Sequence, residues 1–322
     1  METPIGSPID EWRAFSVALF LGWEKHVPEV RILDPTSLSD IFAEGGMPFD
    51  LSNWREVVRR YRLSRYGWKI AERGEMQISP TPVAIRWIEG ELYSLGEVLE
   101  ALIGMGRARR DFFLRFFPTM EQLCAFDALI FNRDRHGGNL LIVVDENAPG
   151  IEVFSSIFWI DHQLSFSSSP PLHVIDSTFI QAPEKMQGEV ERRVEGFGNL
   201  LSLGLLGAPH SMVSRKVSAA LAASRSSPSL ELAELLGLRS FREEVENMGT
   251  LPYFLSRYAN EVLAPLSKFS DPLACSRLAT RLFPQDPPKA CFYASYLEGC
   301  GRVAERALPI VSKIIDRSRI GH

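Results

Sequence analysis

The chain has 322 residues, 45% of them hydrophobic and 23% charged, with a formal net charge of −5. That composition excludes disordered, collagen-like and mucin-like chains and leaves ample length for a core. The mildly acidic balance argues against a nucleic-acid scaffold held by net charge. Arg outnumbers Lys 28 to 7, a scarcity that bears on the chemistry below.

Cys124, Cys275, Cys291 and Cys300 are widely spaced with no C-x-x-C, which points to reduced thiols. Met1–Asp10 carry no basic leader segment. The apolar run Ala14–Trp23 is half of the ~20 residues a bilayer span takes. The expected location is the cytoplasm.

In chain order, Trp12, Phe15, Ala18, Leu19 and Gly22 recur at helical spacing over about 9–23. A strand is expected at Val30–Leu33, and a short helix from Ser37, with Asp40 completing a capping-box pattern. A basic helix follows over Ser52–Arg62, with Arg55, Arg59, Arg60, Arg62 and Arg65 offering either a solvated face or a surface for an anionic partner. Pro80 and Pro82 introduce a strand at Val83–Ile88, which Gly90 ends. Helices are expected at Leu95–Ile103 and Arg110–Phe117, and Thr119 with Gln122 reads as a capping box opening another helix through Leu129. The runs Leu140–Val144 and Val153–Ile160, with a turn-rich segment between them, read as a hairpin. Beyond a Ser/Pro-rich loop from Ser167 the chain reads as helix, longest at Phe292–Ile315. Mixed elements followed by helices give an α+β class.

The chemistry concentrates around that hairpin. A helix ends in Asn132-Arg133-Asp134-Arg135-His136-Gly137-Gly138-Asn139, the last residue standing at the mouth of the first strand. The second strand ends in Trp159-Ile160-Asp161-His162. A tight hairpin brings Asn139 beside Asp161, with Asp134 on the adjoining loop. Oxygen donors converging on one point suit a hard cation such as Mg²⁺. Phosphoryl transfer also needs a carboxylate that orients the attacking hydroxyl, here Asp134. A zinc site built from His136, His162 and Asp161 is the alternative, at spacing poorly suited to zinc.

Asp127 and these two segments together resemble the catalytic and metal-binding loops of kinases in the HipA and phosphatidylinositol 3-/4-kinase group. The resemblance covers residues 127–163. It implies a catalytic Asp134, Mg²⁺–ATP ligation by Asn139 and Asp161, and loop bracing by Asp127 and Asn132. Arg135 or a basic helix residue is expected to help hold the transferring group. Asp10-Glu11-Trp12-Arg13-Ala14 resembles the start of the family's αC helix, which makes Glu11 the partner of an ATP-binding Lys. Val83–Gly90 resembles the strand and hinge beside adenine, with Trp87, Ile88 and Glu89 contacting the base. The implied fold is kinase-like, with a reduced N-lobe at 1–92 and a helical C-lobe at 93–322 containing the catalytic hairpin 132–163.

The front of the chain departs from that pattern. No G-x-G-x-x-G is present, and only Lys25 and Lys69 precede the hinge, of which Lys69 is the candidate for phosphate. Three explanations stand side by side: an upstream start, a partner chain completing the N-lobe, or an altered ATP cradle. The expected function is Mg²⁺-dependent phosphorylation of a protein Ser/Thr hydroxyl from ATP. The alternative is a pseudokinase or split-kinase subunit that binds nucleotide or a partner. Nothing in the sequence points to nucleic acid or membrane.

Overall fold

A computed structural model describes residues 8–32, 68–70, 83–86, 88–102, 106–132, 135–163, 165–166, 183–203 and 251–320. The helices expected from Ser37 and over Ser52–Arg62, the loop beyond Ser167, and the residues Trp87 and Asp134 lie outside them. The chain divides into two compact units, one of Met1–Ala101 with Gly137–Phe166, the other of Leu102–His136 with Ser167–His322. The hairpin expected in the C-terminal lobe thus belongs to the N-terminal unit, and the boundary expected at residue 92 falls inside it. The reason is a strand the sequence reading missed, Glu91–Ser94, which pairs with the hairpin's first strand.

The first unit opens with α1 (Pro8–Leu21). Pro8 suits a first helical turn, and Asp10 and Glu11 sit near the positive end of the helix dipole. Ala14, Val17, Ala18 and Leu21 are buried at helical spacing. The helix closes at Gly22 in the left-handed region, φ 79°. The Gly22 N–H donates to Leu19 O and the Trp23 N–H to Ala18 O, a Schellman termination.

Three strands form an antiparallel sheet in the order β1 (Val30–Ile32), β3 (Val83–Arg86), β2 (Trp68–Ile70). Ile9, Trp12 and Phe15 of α1 pack against Val30 and Val83. Strand β2 was not expected, and it carries Lys69 opposite Ile85 of β3. A second antiparallel sheet runs β4 (Glu91–Ser94), β5 (Leu140–Val144), β6 (Phe154–Trp159). The hairpin therefore forms as expected from its two apolar runs.

The short helix α2 (Leu95–Ala101) begins with a capping box that the sequence reading passed over. The Ser94 N–H donates to Glu97 Oε2 (2.7 Å) and the Glu97 N–H to Ser94 Oγ (3.2 Å). The box expected at Thr119 and Gln122 does not form. Both residues are buried inside one continuous helix, α3 (Gly106–Ile130), which runs through Pro118.

In the second unit every described element is helical: α3, then α4 (Pro183–Leu203), α5 (Leu251–Tyr258), a π turn (Ala259–Leu263), α6 (Ala264–Ser267), α7 (Pro272–Leu282) and α8 (Pro287–Ile320). Gln122 acts here: its Nε2 donates to Glu261 O (2.9 Å), a carbonyl whose normal helical partner would be the amide Pro265 lacks. The 34-residue α8 is the axis against which α4, α6 and α7 pack. Gly299 and Gly301 belong to that packing, since a Cβ at Gly299 would clash with Val194 and one at Gly301 with the backbone at Phe269.

Candidate functional site

The pairing of β5 with β6 sets the register Leu140 opposite Trp159. The Ile160 N–H donates to Asn139 O (3.1 Å), so Asn139 and Asp161 stand at the same end of the hairpin. Asn139 ends a 3₁₀ turn, Gly137–Asn139, and is buried; Asp161 is exposed. Asp161 also has a left-handed backbone, φ 56°. Asp tolerates that region better than most side chains, yet it remains a sparsely populated conformation for an L-residue.

The segment around Asp161 is held from several directions within the first unit. After α1, the 3₁₀ turn Glu24–His26 brings His26 onto Trp159, rings stacked at 5.0 Å and 20°. His26 Nδ1 lies 3.2 Å from Ile157 O, and Trp23 meets Trp159 edge-on at 6.3 Å. On the other side of Asp161, the His162 N–H donates to Glu11 Oε1 (2.8 Å), and the His162 ring Nδ1 lies 3.1 Å from Glu11 Oε2. Both side chains are interior, at 0% exposure for His162 and 5% for Glu11. The resemblance assigns Glu11 to a lysine; in this fold its carboxylate engages His162, the residue that follows Asp161.

The loop's other end is built in the second unit. Helix α3 ends in the same Schellman pattern as α1: the Phe131 N–H donates to Ala128 O (3.3 Å) and the Asn132 N–H to Asp127 O (2.9 Å). Here the left-handed residue is Phe131, φ 54°. Its ring packs on Tyr296 (4.9 Å) and Tyr293 (6.2 Å), with the Arg193 guanidinium 4.6 Å above it. Tyr293 and Tyr296 also donate their hydroxyls to Leu129 O and Ala128 O, both at 3.1 Å. Carbonyls that a helix end leaves without intrahelical partners are thereby satisfied. Burial raises the pKa of both phenols well above the ordinary value, which keeps them protonated as donors.

Asp127, on the last turn of α3, gathers the loop. It accepts from Asn132 Nδ2 (3.0 Å), from Arg135 Nε (3.0 Å to Oδ2) and from the second Arg135 nitrogen, Nη2 (3.0 Å to Oδ1). The Asp127 and Arg135 side chains are fully buried. Arg135, expected to help hold the transferring group, here pairs with the interior carboxylate of Asp127 and braces the loop. Burial also pushes the neighbouring Cys124 thiol well up, with Glu121 and Asp127 adding to the effect.

The remaining candidates are placed as follows. Ile88 is half-buried and Glu89 exposed in the connection from β3 to β4, and Lys69 stands on β2. Arg192 and Arg193 both pair with the buried Glu189 of their own helix, Arg193 Nε at 2.7 Å. Among the described residues no group of three or more His, Cys, Asp or Glu side chains converges as a metal site, and no helix is long and apolar enough to cross a membrane. No protein-family model matches the sequence, and no curated protein matches it.

Two contributors escaped the sequence reading. Tyr293 and Tyr296 carry a legible signal, two hydroxyls three residues apart on one helix face. The bond from His162 to Glu11 spans 151 positions and has no local signal.

Proposed function

We propose that this chain is an Mg²⁺-dependent ATP phosphotransferase of kinase-like fold, acting on a protein Ser/Thr hydroxyl in the cytoplasm. The observation that carries the reading is the hairpin register that sets Asn139 and Asp161 at one end of β5 and β6. One buried amide and one exposed carboxylate are hard oxygen donors, and they fit a magnesium ion that takes its other ligands from water and phosphate. Bound there, Mg²⁺–ATP brings neutralisation of the phosphate charge. Asn139 and Asp161 orient the nucleotide's phosphates. Asp134, between Asn132 and Arg135 in the sequence, would orient the substrate hydroxyl and take up its proton as the oxygen bonds to the γ-phosphorus, the bond from that phosphorus to the β-phosphate oxygen breaks and ADP leaves. Lys69 on β2 is the cation proposed for the phosphates, and Trp87, Ile88 and Glu89 the segment proposed beside adenine.

A second reading, a nucleotide- or partner-binding module without transfer, is favoured by one observation. The carboxylate that the resemblance gives to a lysine is engaged by His162. The test is incubation with Mg²⁺ and γ-labelled ATP, alone and with lysate proteins, beside Asp134→Asn and Asp161→Asn. Label that appears with the wild type and falls by about 100-fold or more in both variants supports transfer. An ATP- and Mg²⁺-dependent thermal shift without label supports the binding module. Neither label nor shift sinks both.

A further inference from the structure

We propose that Glu11 and His162 form a latch that fixes the backbone of Asp161, so that Glu11 is a positioning residue for Asp161. The proposal rests on the reading of Asp161 as a phosphate- or metal-facing carboxylate.

A left-handed, non-glycine residue persists only where its surroundings over-determine it. Asp161 is such a residue, φ 56°, and its carboxylate is exposed while the chain on both sides is tied down. On the N-terminal side the Ile160 amide is spent on Asn139 O. On the C-terminal side the His162 amide, belonging to the very peptide that Asp161 opens, is spent on Glu11 Oε1 at 2.8 Å. The ring of the same histidine takes the second carboxylate oxygen at 3.1 Å. One side chain thus grips both the backbone and the ring of one residue. The His162 carbonyl is held in turn by the Ser165 N–H at 3.0 Å.

Chemistry distinguishes a latch from a counter-charge. A carboxylate oxygen accepts, and an imidazole nitrogen that carries its hydrogen donates to it. A glutamine at position 11 has the same shape. Its carbonyl still accepts from the His162 amide, and its NH₂ donates to Nδ1 once the imidazole hydrogen moves to Nε2. The latch therefore survives loss of the charge but not loss of the side chain. A carboxylate whose task is to pair with a lysine fails in both cases.

The experiment uses the full chain in two assays: hydrogen exchange of peptides spanning 158–166, and the Mg²⁺ concentration for half-maximal label transfer. Glu11→Ala is expected to speed exchange over 160–163 by about tenfold or more, against an unchanged α8, because a bond that closes this segment is gone. It is also expected to raise the half-saturating Mg²⁺ concentration by about tenfold, with a smaller effect on the rate at saturating Mg²⁺. Glu11→Gln is expected to recover most of both losses. Unchanged exchange in Glu11→Ala overturns the latch, and so does a Glu11→Gln as defective in transfer as Glu11→Ala. Should Glu11→Ala fail to fold, His162→Ala keeps the amide bond and removes the ring bond. Faster exchange over 160–163 in that variant supports the latch, and unchanged exchange overturns it. A wild type that transfers no phosphate defeats the proposed activity, while the exchange comparison still decides the latch.

Discussion

Two braces flank the proposed catalytic segment, and they are built in opposite ways. Asp127, Asn132 and Arg135 form a local brace, partners five and eight residues apart at the end of one helix. Glu11 and His162 form a long-range brace across 151 positions, joining the first helix to the third residue beyond β6. The local brace buries a full ion pair at 0% exposure on both side chains. Such a pair is a large liability when one partner is lost, because the remaining charge stays in the interior. The long-range brace joins a carboxylate to an amide and an imidazole, so its loss strands hydrogen-bonding groups more than charge. The difference predicts a stiff entry to the loop and an exit that is easier to loosen.

The contrast can be tested by its largest expected effect first. Asp127→Ala removes the carboxylate from a buried guanidinium and is expected to cost about 3–5 kcal/mol in urea or thermal unfolding. Glu11→Ala leaves an amide and a ring nitrogen of His162 without that acceptor, for an expected loss of about 1–3 kcal/mol. A Glu11→Ala cost equal to or above that of Asp127→Ala would break the comparison.

The two Schellman ends offer a finer test. Phe131→Gly relieves a left-handed backbone worth about 1–2 kcal/mol, but forfeits the ring's contacts with Tyr296, Tyr293 and Arg193. Full truncation of a buried Phe costs about 3–5 kcal/mol. The net expectation for this half-buried ring is a destabilisation of about 1–2 kcal/mol, read from the urea midpoint. At the end of α1 the balance is simpler, because a Cβ on Gly22 meets nothing within 4 Å. Gly22→Ala is expected to cost only the backbone conformation, about 1 kcal/mol. A stabilised Phe131→Gly would show that backbone strain, not ring packing, dominates the entry to the loop.

The smallest effect lies at the start of α2. Hydrogen bonds from the Ser94 side chain and then its amide hold the Glu97 carboxyl below its usual pKa. A group depressed on folding stabilises above its unfolded pKa, and that contribution is lost as pH falls through the folded value. The urea midpoints of wild type and Ser94→Ala are therefore expected to draw together as pH falls from about 5 to about 3.

What was legible in the sequence follows the same division between local and distant. The hairpin was legible because two short runs of branched and aromatic residues flank a turn segment, while its register, with a shift at Val143/Val144, came from the pairing itself. The brace by Asp127 and Asn132 was expected only from the family resemblance of the motif that holds them. The 34-residue α8 was visible as a long apolar periodicity, though shorter than it is. Strands β2 and β4 were missed because Trp68–Ile70 and Glu91–Ser94 are interrupted by charged and polar residues, and pairing with β3 and β5 supplies what propensity does not. The false capping box at Thr119 shows the same limit in reverse. A correct local pattern was overridden by a helix that continues through Pro118, with Gln122 satisfying a carbonyl 139 positions away.

By itself, then, the sequence determined the hairpin of β5 and β6, because it depends on neighbours within a few turns of chain. Only the tertiary structure decided that Arg135 is an interior brace and that Glu11 grips His162. Burial and long-range pairing depend on which surfaces the fold brings together, and no residue's local spacing encodes that.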